Sequence, residues 1–262
     1  MKSTRPVYVG IDVGSVSVNV VVIDEHKNTL DEHYIRTQGD PMGVVLRAFE
    51  DIIERYGKDS VRLAAITGSG GKQVAKLIGA AFVNEVIAQA RATEYFHPEV
   101  RTVIEMGGQD AKLILLATEG EGKDAKIRME DFQMNSVCAA GTGSFLDQQA
   151  TRMELSIEEF GKLSLKSEHP PRVAGRCSVF AKSDMIHLQQ IATPDYDIVA
   201  GLCYAVARNF KATIGKGKEF KAPVAFQGGV AANPGVRKAF QEVLELSDAE
   251  YIVPEHYASM GA

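Results

Sequence analysis

The chain has 262 residues, 45% of them apolar and 24% charged, enough to bury a sizeable core as one large domain or two lobes. Its net charge of −5 gives nucleic acid no basic footprint to bind, and no apolar run approaches the roughly 20 residues of a membrane helix. Three cysteines without a disulfide-like framework and a start without a signal-peptide core point to a reducing cytoplasm.

From the N-terminus, VYVGIDVGSVSVNVVVIDEHKNTLDEHYIRT reads as strand, Asp-x-Gly-Ser turn, alternating strand, polar turn, strand. Val18, Val20 and Val22 alternate with Ser17, Asn19 and Val21, the period of a strand. The polar turn at Asp24–Asn28 has the residues a hairpin needs, as does a later one at Glu119–Asp124. Pro41 to Tyr56 forms an amphipathic helix, with Val44, Val45, Ala48, Phe49, Ile52 and Ile53 on one stripe. VRLAAITGSGG is then a strand running into a glycine turn, and KQVAKLIGA a helix.

TEYFHPE interrupts the apolar pattern, which places a lobe boundary there, with lobes over 1–95 and 96–262. RTVIEMGGQDAKLILLATEGEGKDAKIRMEDF then repeats the order of the first segment. Ile104-Glu105-Met106-Gly107 lies over Ile11-Asp12-Val13-Gly14. Helices are expected over Gly143–Met153, Ser156–Leu165, Met185–Ile191 and Asp195–Ile214. A strand at Pro223–Gln227, the turn GGVAANPGV, a helix to Leu246 and the strand YIVP complete the pattern. Strands alternating with helices, twice over, give an α/β protein of two duplicated lobes with a nucleotide cleft between them.

Three turns carry the chemistry. In IDVGSVS, Asp12 ends a strand, and the amides around Gly14, Ser15, Val16 and Ser17 are suited to phosphate oxygens. In EMGGQDAK, Gly107 and Gly108 repeat that turn, and Gln109 and Asp110 add groups able to orient water or Mg²⁺. In AFQGGVAANPGV, Gly228 and Gly229 leave room for an adenosine face, with Asn233 at the start of a helix. Each alone is also an ordinary hairpin or strand-to-helix turn. Together, in this order and over a duplication, they resemble the phosphate-1, phosphate-2 and adenosine motifs of the actin/hexokinase/Hsp70-like (ASKHA) superfamily. No GxxxxGK[ST] is present, so a P-loop ATPase is not supported.

Cys203 lies among Ile198, Val199, Leu202 and Val206 on an apolar helix face and reads as a small core residue. Cys138 and Cys177 instead sit in Gly/Ser-rich turns at helix starts, where the dipole favours thiolate; core or incidental cysteines are the alternative. A cubane cluster takes four thiolates, which two copies of the chain about a two-fold axis would supply.

GIDVGSVS, ITGSGG, EMGGQDAK, MNSVCAAGTGSFLDQQA, GRCSVFAKSDMI, FQGGVAANPGV and HYASMGA span nearly the whole chain. On them the protein resembles the ATP-dependent activators (component A) of 2-hydroxyacyl-CoA dehydratases, and the related ATPase subunits of benzoyl-CoA reductases. The resemblance implies a homodimer holding one [4Fe–4S] cluster, with Cys138 and Cys177 of each chain as ligands and Gly141–Ala150 as a cluster-proximal helix. It also implies an ATPase that gates a low-potential electron from ferredoxin or flavodoxin to the dehydratase. The implied cofactors are ATP or ADP, Mg²⁺ held by Asp12 through water, and the cluster. Asp12, Glu105, Gln109 and Asp110 would be the catalytic set, with Gln109 or Asp110 orienting the attacking water.

Two departures stand out. The second phosphate motif of the family opens with Asp, where this chain has Glu105. The family also runs on past HYASMGA through a further glycine- and alanine-rich helix, so the sequence is expected to be shortened there. Two other readings compete: an ATPase partner of a benzoyl-CoA-type or other cluster-bearing reductase, and a small-molecule kinase of the same fold with Asp110 as base. The kinase gives no reason for two glycine-flanked cysteines.

Overall fold

The computed structural model describes residues 5–120, 126–135, 141–175 and 177–262. Cys138, Arg176 and most of the turn expected at Glu119–Asp124 lie outside them. The chain forms two compact units: one runs to His97 and takes in Ala258–Ala262, and the other spans Pro98–Tyr257.

In the first unit, β1 (Val7–Val13) buries Val7, Val9, Ile11 and Val13 at every second position. It pairs antiparallel with β2 (Ser17–Asp24), which pairs with β3 (Thr29–Arg36). On its other side β1 pairs parallel with β4 (Val61–Thr67), followed by β5 (Ala81–Phe82). The sheet order is therefore β3-β2-β1-β4-β5. Helix α1 (Pro41–Tyr56) starts where Asp40 accepts from the Gly43 N–H at 2.9 Å and Pro41 fills the first helical position. It covers the sheet with Val44, Val45, Ala48 and Ile52, while Ile53 of the expected stripe is 41% exposed. Helix α2 (Gly71–Ile78) follows β4. The expected break at TEYFHPE is partly helical: α3 (Glu85–Phe96) runs through Phe96, its start capped by the Asn84 side chain. The valines and isoleucines of β1, β2, β4, α1 and α2 form this unit's core.

The second unit repeats the plan. Strands β6 (Thr102–Met106), β7 (Ala111–Glu119) and β8 (Lys126–Asn135) form an antiparallel meander. On the other side of β6 come β9 (Val224–Gln227) and β10 (Tyr251–Ile252), both parallel, giving the order β10-β9-β6-β7-β8. Read outward from β6, this is the order and sense of the first sheet, so the duplicated α/β architecture of the sequence reading is present in the backbone. Its helices are α4 (Gly143–Arg152), α5 (Ile157–Ser164), α6 (Ser178–Gln190), α7 (Asp195–Thr213) and α8 (Pro234–Val243). Helix α7 is the hub of the core, with eleven buried residues including Cys203. The helix expected at Met185–Ile191 starts seven residues earlier, at Ser178, immediately after Cys177. Val179 and Phe180 in its first turn are both 66% exposed, so the apolar residues there do not follow the buried stripe that marks a helix in sequence.

Candidate functional site

The turn between β1 and β2 is closed by the Gly14 N–H donating to the Ser17 carbonyl at 2.9 Å. Thr37 ties its other side: the Oγ1 hydroxyl reaches the carbonyls of Ser15 and Val16 at 3.1 and 3.2 Å, and its N–H donates to Val16 at 2.9 Å. Ser15 stands exposed, with Gly14, Val16 and Ser17 half-buried. A tight turn whose carbonyls are engaged from behind has its amides to offer an anion.

The turn between β6 and β7 is closed the same way, by the Gly107 N–H donating to the Asp110 carbonyl at 3.0 Å. Gln109 stands exposed at its tip. Glu105 and Asp110, at its two ends, meet on one buried lysine. Lys112 Nζ donates to Glu105 Oε2 at 2.8 Å and to Asp110 Oδ2 at 2.9 Å, with its side chain 1% exposed. The longer Glu105, in place of Asp, thus has a defined partner.

The start of helix α4 is hydrogen-bonded to this turn. The Gly143 N–H donates to the Gly107 carbonyl at 2.9 Å and the Ser144 N–H to the Gly108 carbonyl at 2.8 Å. First-turn N–H groups have no partner within their own helix, and here the glycine turn supplies it. A Cβ on Gly143 would stand 3.0 Å from Val230 Cγ2 and 3.1 Å from the Gly107 carbonyl oxygen, so a glycine makes the approach.

In the third motif, Gly228 follows β9 at φ +89° and Gly229–Ala232 form a short 3₁₀ turn. A Cβ on Gly228 would lie 2.5 Å from the Met106 carbonyl oxygen and 2.7 Å from Glu105 Oε1. Gly228 is therefore buried against the second motif, and Gly229 is the more open of the pair. Asn233 caps α8, its Oδ1 accepting from Gly235 and Val236 at 2.9 and 3.1 Å. Its Nδ2 is buried without a hydrogen-bond partner among the described residues, a donor that a ligand would satisfy. Arg237 braces the motif, donating to the Ala231 carbonyl and lying 5.1 Å over the Tyr257 ring.

The duplication extends to side chains that the sequence reading passed over. Asp12 is paired with Asn19 on β2 and with Thr67 on β4; Glu105 is paired with Lys112 on β7 and with Gln227 on β9. Gly68, after β4 at φ +88°, presses on Asp12 Oδ1 as Gly228 presses on Glu105, a Cβ there standing 2.3 Å from that oxygen. ITGSGG is thus the first unit's counterpart of FQGGVA. Aligning Thr67-Gly68 with Gln227-Gly228 in sequence carries this signal, but only once the IDVG/IEMG repeat is extended past the hairpin.

Of the cysteines, Cys203 is fully buried, and burial pushes its thiol up to about 12. Cys177 is half-buried at the N-cap of α6, where its carbonyl accepts from the Ala181 N–H at 3.0 Å and its side chain makes no capping bond. A thiol at a helix start, unused for capping, fits a metal-sulfur ligand. Gly175, two residues before Cys177, and Gly141, three residues after Cys138 in sequence, both lie on α7: a Cβ on Gly175 would meet the Ala205 carbonyl oxygen at 2.4 Å, and one on Gly141 would meet Asn209 Nδ2 at 2.9 Å. No helix among the described residues is long and apolar enough to cross a membrane.

Comparison with known proteins agrees with this geometry. The chain is 31% identical to a 2-hydroxyisocaproyl-CoA dehydratase activator from Clostridioides difficile, over 94% of this chain and 88% of that protein. It is 29% identical to the (R)-2-hydroxyglutaryl-CoA dehydratase activating ATPase of Acidaminococcus fermentans, over 97% and 94%. Among solved structures, the Clostridium difficile 2-hydroxyisocaproyl-CoA dehydratase activator with bound ADPNP superposes with a TM-score of 0.85 at 29% identity. The match covers 98% of this chain and 91% of the other. The sequence profile of one family matches residues 9–262, so the chain belongs to the BadF/BadG/BcrA/BcrD ATPase family.

Proposed function

We propose that this protein is an ATP-hydrolysing iron–sulfur activator, a cytoplasmic homodimer that delivers a low-potential electron to a 2-hydroxyacyl-CoA dehydratase. Ferredoxin or flavodoxin is the donor. Membership of an ATPase family supports the nucleotide half, and the named activators among its relatives support the client. The amides around Gly14–Ser17 and Gly107–Gly108 take phosphate oxygens, Asp12 holds Mg²⁺ through water, and Gly229 and Asn233 flank adenosine, with Gly228 packed behind them against the second turn. With one Asp110 oxygen held by Lys112, the exposed Gln109 is the residue to orient the attacking water. Catalysis then rests on positioning and fixed dipoles. Cys138 and Cys177 of each chain are the ligands of one [4Fe–4S] cluster, which supplies the low-potential electron when bound.

The observation that carries the coupling is the pair of backbone bonds from Gly143 and Ser144 to Gly107 and Gly108. The phosphate turn and the helix that follows Cys138 are one hydrogen-bonded piece. What the turn holds therefore bears on where that helix starts, which supports gating of the cluster by nucleotide.

The test is iron and acid-labile sulfide on protein purified and reconstituted without oxygen. About four irons per dimer are expected, lost in Cys138→Ala and in Cys177→Ala. No iron in the wild type after reconstitution would sink the electron-transfer reading and leave an ATPase without a carrier.

A further inference from the structure

In the first unit Asn19, Asp12 and Thr67 stand in one row across β2, β1 and β4. Directly opposed residues share a sheet face, with Cβ atoms about 4.5–5.5 Å apart in an antiparallel pair. Asn19 is 6% exposed and Thr67 is 3% exposed. Asn19 Oδ1 and Thr67 Oγ1 are both buried without a hydrogen-bond partner among the described residues. A buried polar atom left so is rare in a folded protein, and two flanking one carboxylate call for a shared explanation.

The second unit supplies an internal comparison. Its matching row is Lys112, Glu105 and Gln227, and there the chain provides its own cation: Lys112 Nζ sits 2.8 Å from Glu105 Oε2. In the first unit the place of Lys112 is taken by Asn19, which brings a buried amide, its oxygen without a hydrogen-bond partner among the described residues, instead of an ammonium. One carboxylate between two neutral oxygens is a hard donor set, of the kind that small divalent cations bind while keeping several waters.

We propose that Asn19 and Thr67 complete, with Asp12, a divalent-cation site in which the row of oxygens holds the ion's water shell. The position filled by Lys112 in one unit is filled by a bound ion in the other. This deepens the nucleotide reading, which assigns Mg²⁺ to Asp12 alone. It also accounts for both unpartnered atoms at once, since water on the ion donates to each. Gly68 packs close against Asp12, where a Cβ would stand 2.3 Å from Oδ1, so only a glycine leaves that carboxylate its place in the row.

The test is Mn²⁺ binding, read from the EPR signal of free Mn²⁺ against the full chain, with and without saturating ADP. Asn19→Leu and Thr67→Val should each weaken Mn²⁺ binding by about 10- to 100-fold, the range for losing a group that supports a metal site. Asn19→Asp adds a second carboxylate and should tighten it by about tenfold. Because one variant moves affinity up and two move it down, a folding defect cannot imitate the pattern. Equal Mn²⁺ affinity in wild type and all three variants, with ADP bound, overturns the row and leaves the nucleotide reading standing. Shifts in the stated directions from a protein that takes up no ADP would keep the row and overturn the nucleotide reading.

Discussion

Lys112 shows how much one residue can settle. Its side chain is 1% exposed and bridges Glu105 and Asp110, the two ends of the β6–β7 turn. Removing one partner of a buried ion pair strands the other charges, and here two carboxylates would be left facing each other. Lys112→Met is therefore expected to destabilise the protein by roughly 3–5 kcal/mol in denaturant unfolding. Combining it with Glu105→Gln and Asp110→Asn should recover most of that loss; a triple variant as unstable as the single one would show that packing, not charge, is what Lys112 provides. In sequence Lys112 is unremarkable, one polar residue beside Ala111 in a strand. Its burial follows from pairing with β6 and cannot be read from its neighbours. Asn19 was hidden for the same reason: alternation with Val18 and Val20 assigns it to a strand, while its 6% exposure depends on what covers that face.

At the level of elements, what the sequence made legible was local. Strand alternation, glycine turns and caps act over a few residues, and β1, β2, α1, α7 and β9 fall where those signals lie. Helix α5 is the clearest case, because Ser156 and Glu159 form a reciprocal capping box. The Ser156 N–H and hydroxyl reach Glu159 at 2.9 and 2.8 Å, and the Glu159 N–H returns to Ser156 Oγ at 3.1 Å. Accepting first from the Ser156 backbone and then from its hydroxyl holds the Glu159 carboxyl below its ordinary value. A carboxyl lowered in the folded state adds stability above its unfolded pKa, and that stability is lost as pH falls through the folded value. Amide protection in the first turn of α5 is thus expected to drop below the ordinary glutamate range. Glu159→Gln should flatten the dependence; an equal drop in that variant would place the cause elsewhere. Two elements were misread for local reasons as well. The aromatic end of α3 looks like an interruption, and α6 opens on exposed apolar residues, Val179 and Phe180, that break the buried stripe and mask its start at Ser178.

For the whole molecule, the architecture is two units built on one plan, each with its own core and each offering a glycine turn beside a carboxylate. The IDVG/IEMG repeat made that plan visible in sequence. The side-chain rows were not visible, since they join strands as distant as β6 and β9. A protein whose ligand binds only the folded chain is stabilised by about 2.7 kcal/mol at 100 times Kd. ADP with Mg²⁺ at that excess should raise the unfolding free energy by this amount, and Asp12→Asn should remove the part that EDTA removes in the wild type. An Mg²⁺ contribution that survives Asp12→Asn would locate the ion away from the first unit's turn. Finally, the silence of Cys203 has an analytical use. With its thiol raised to about 12 and no exposure, it stays out of reach of a disulfide reagent near neutral pH. Colour released from the native chain therefore excludes Cys203, and denaturation adds it as one further equivalent, an internal standard. The buried thiol of α7 thus calibrates any count of the other two, readable on a bench spectrophotometer.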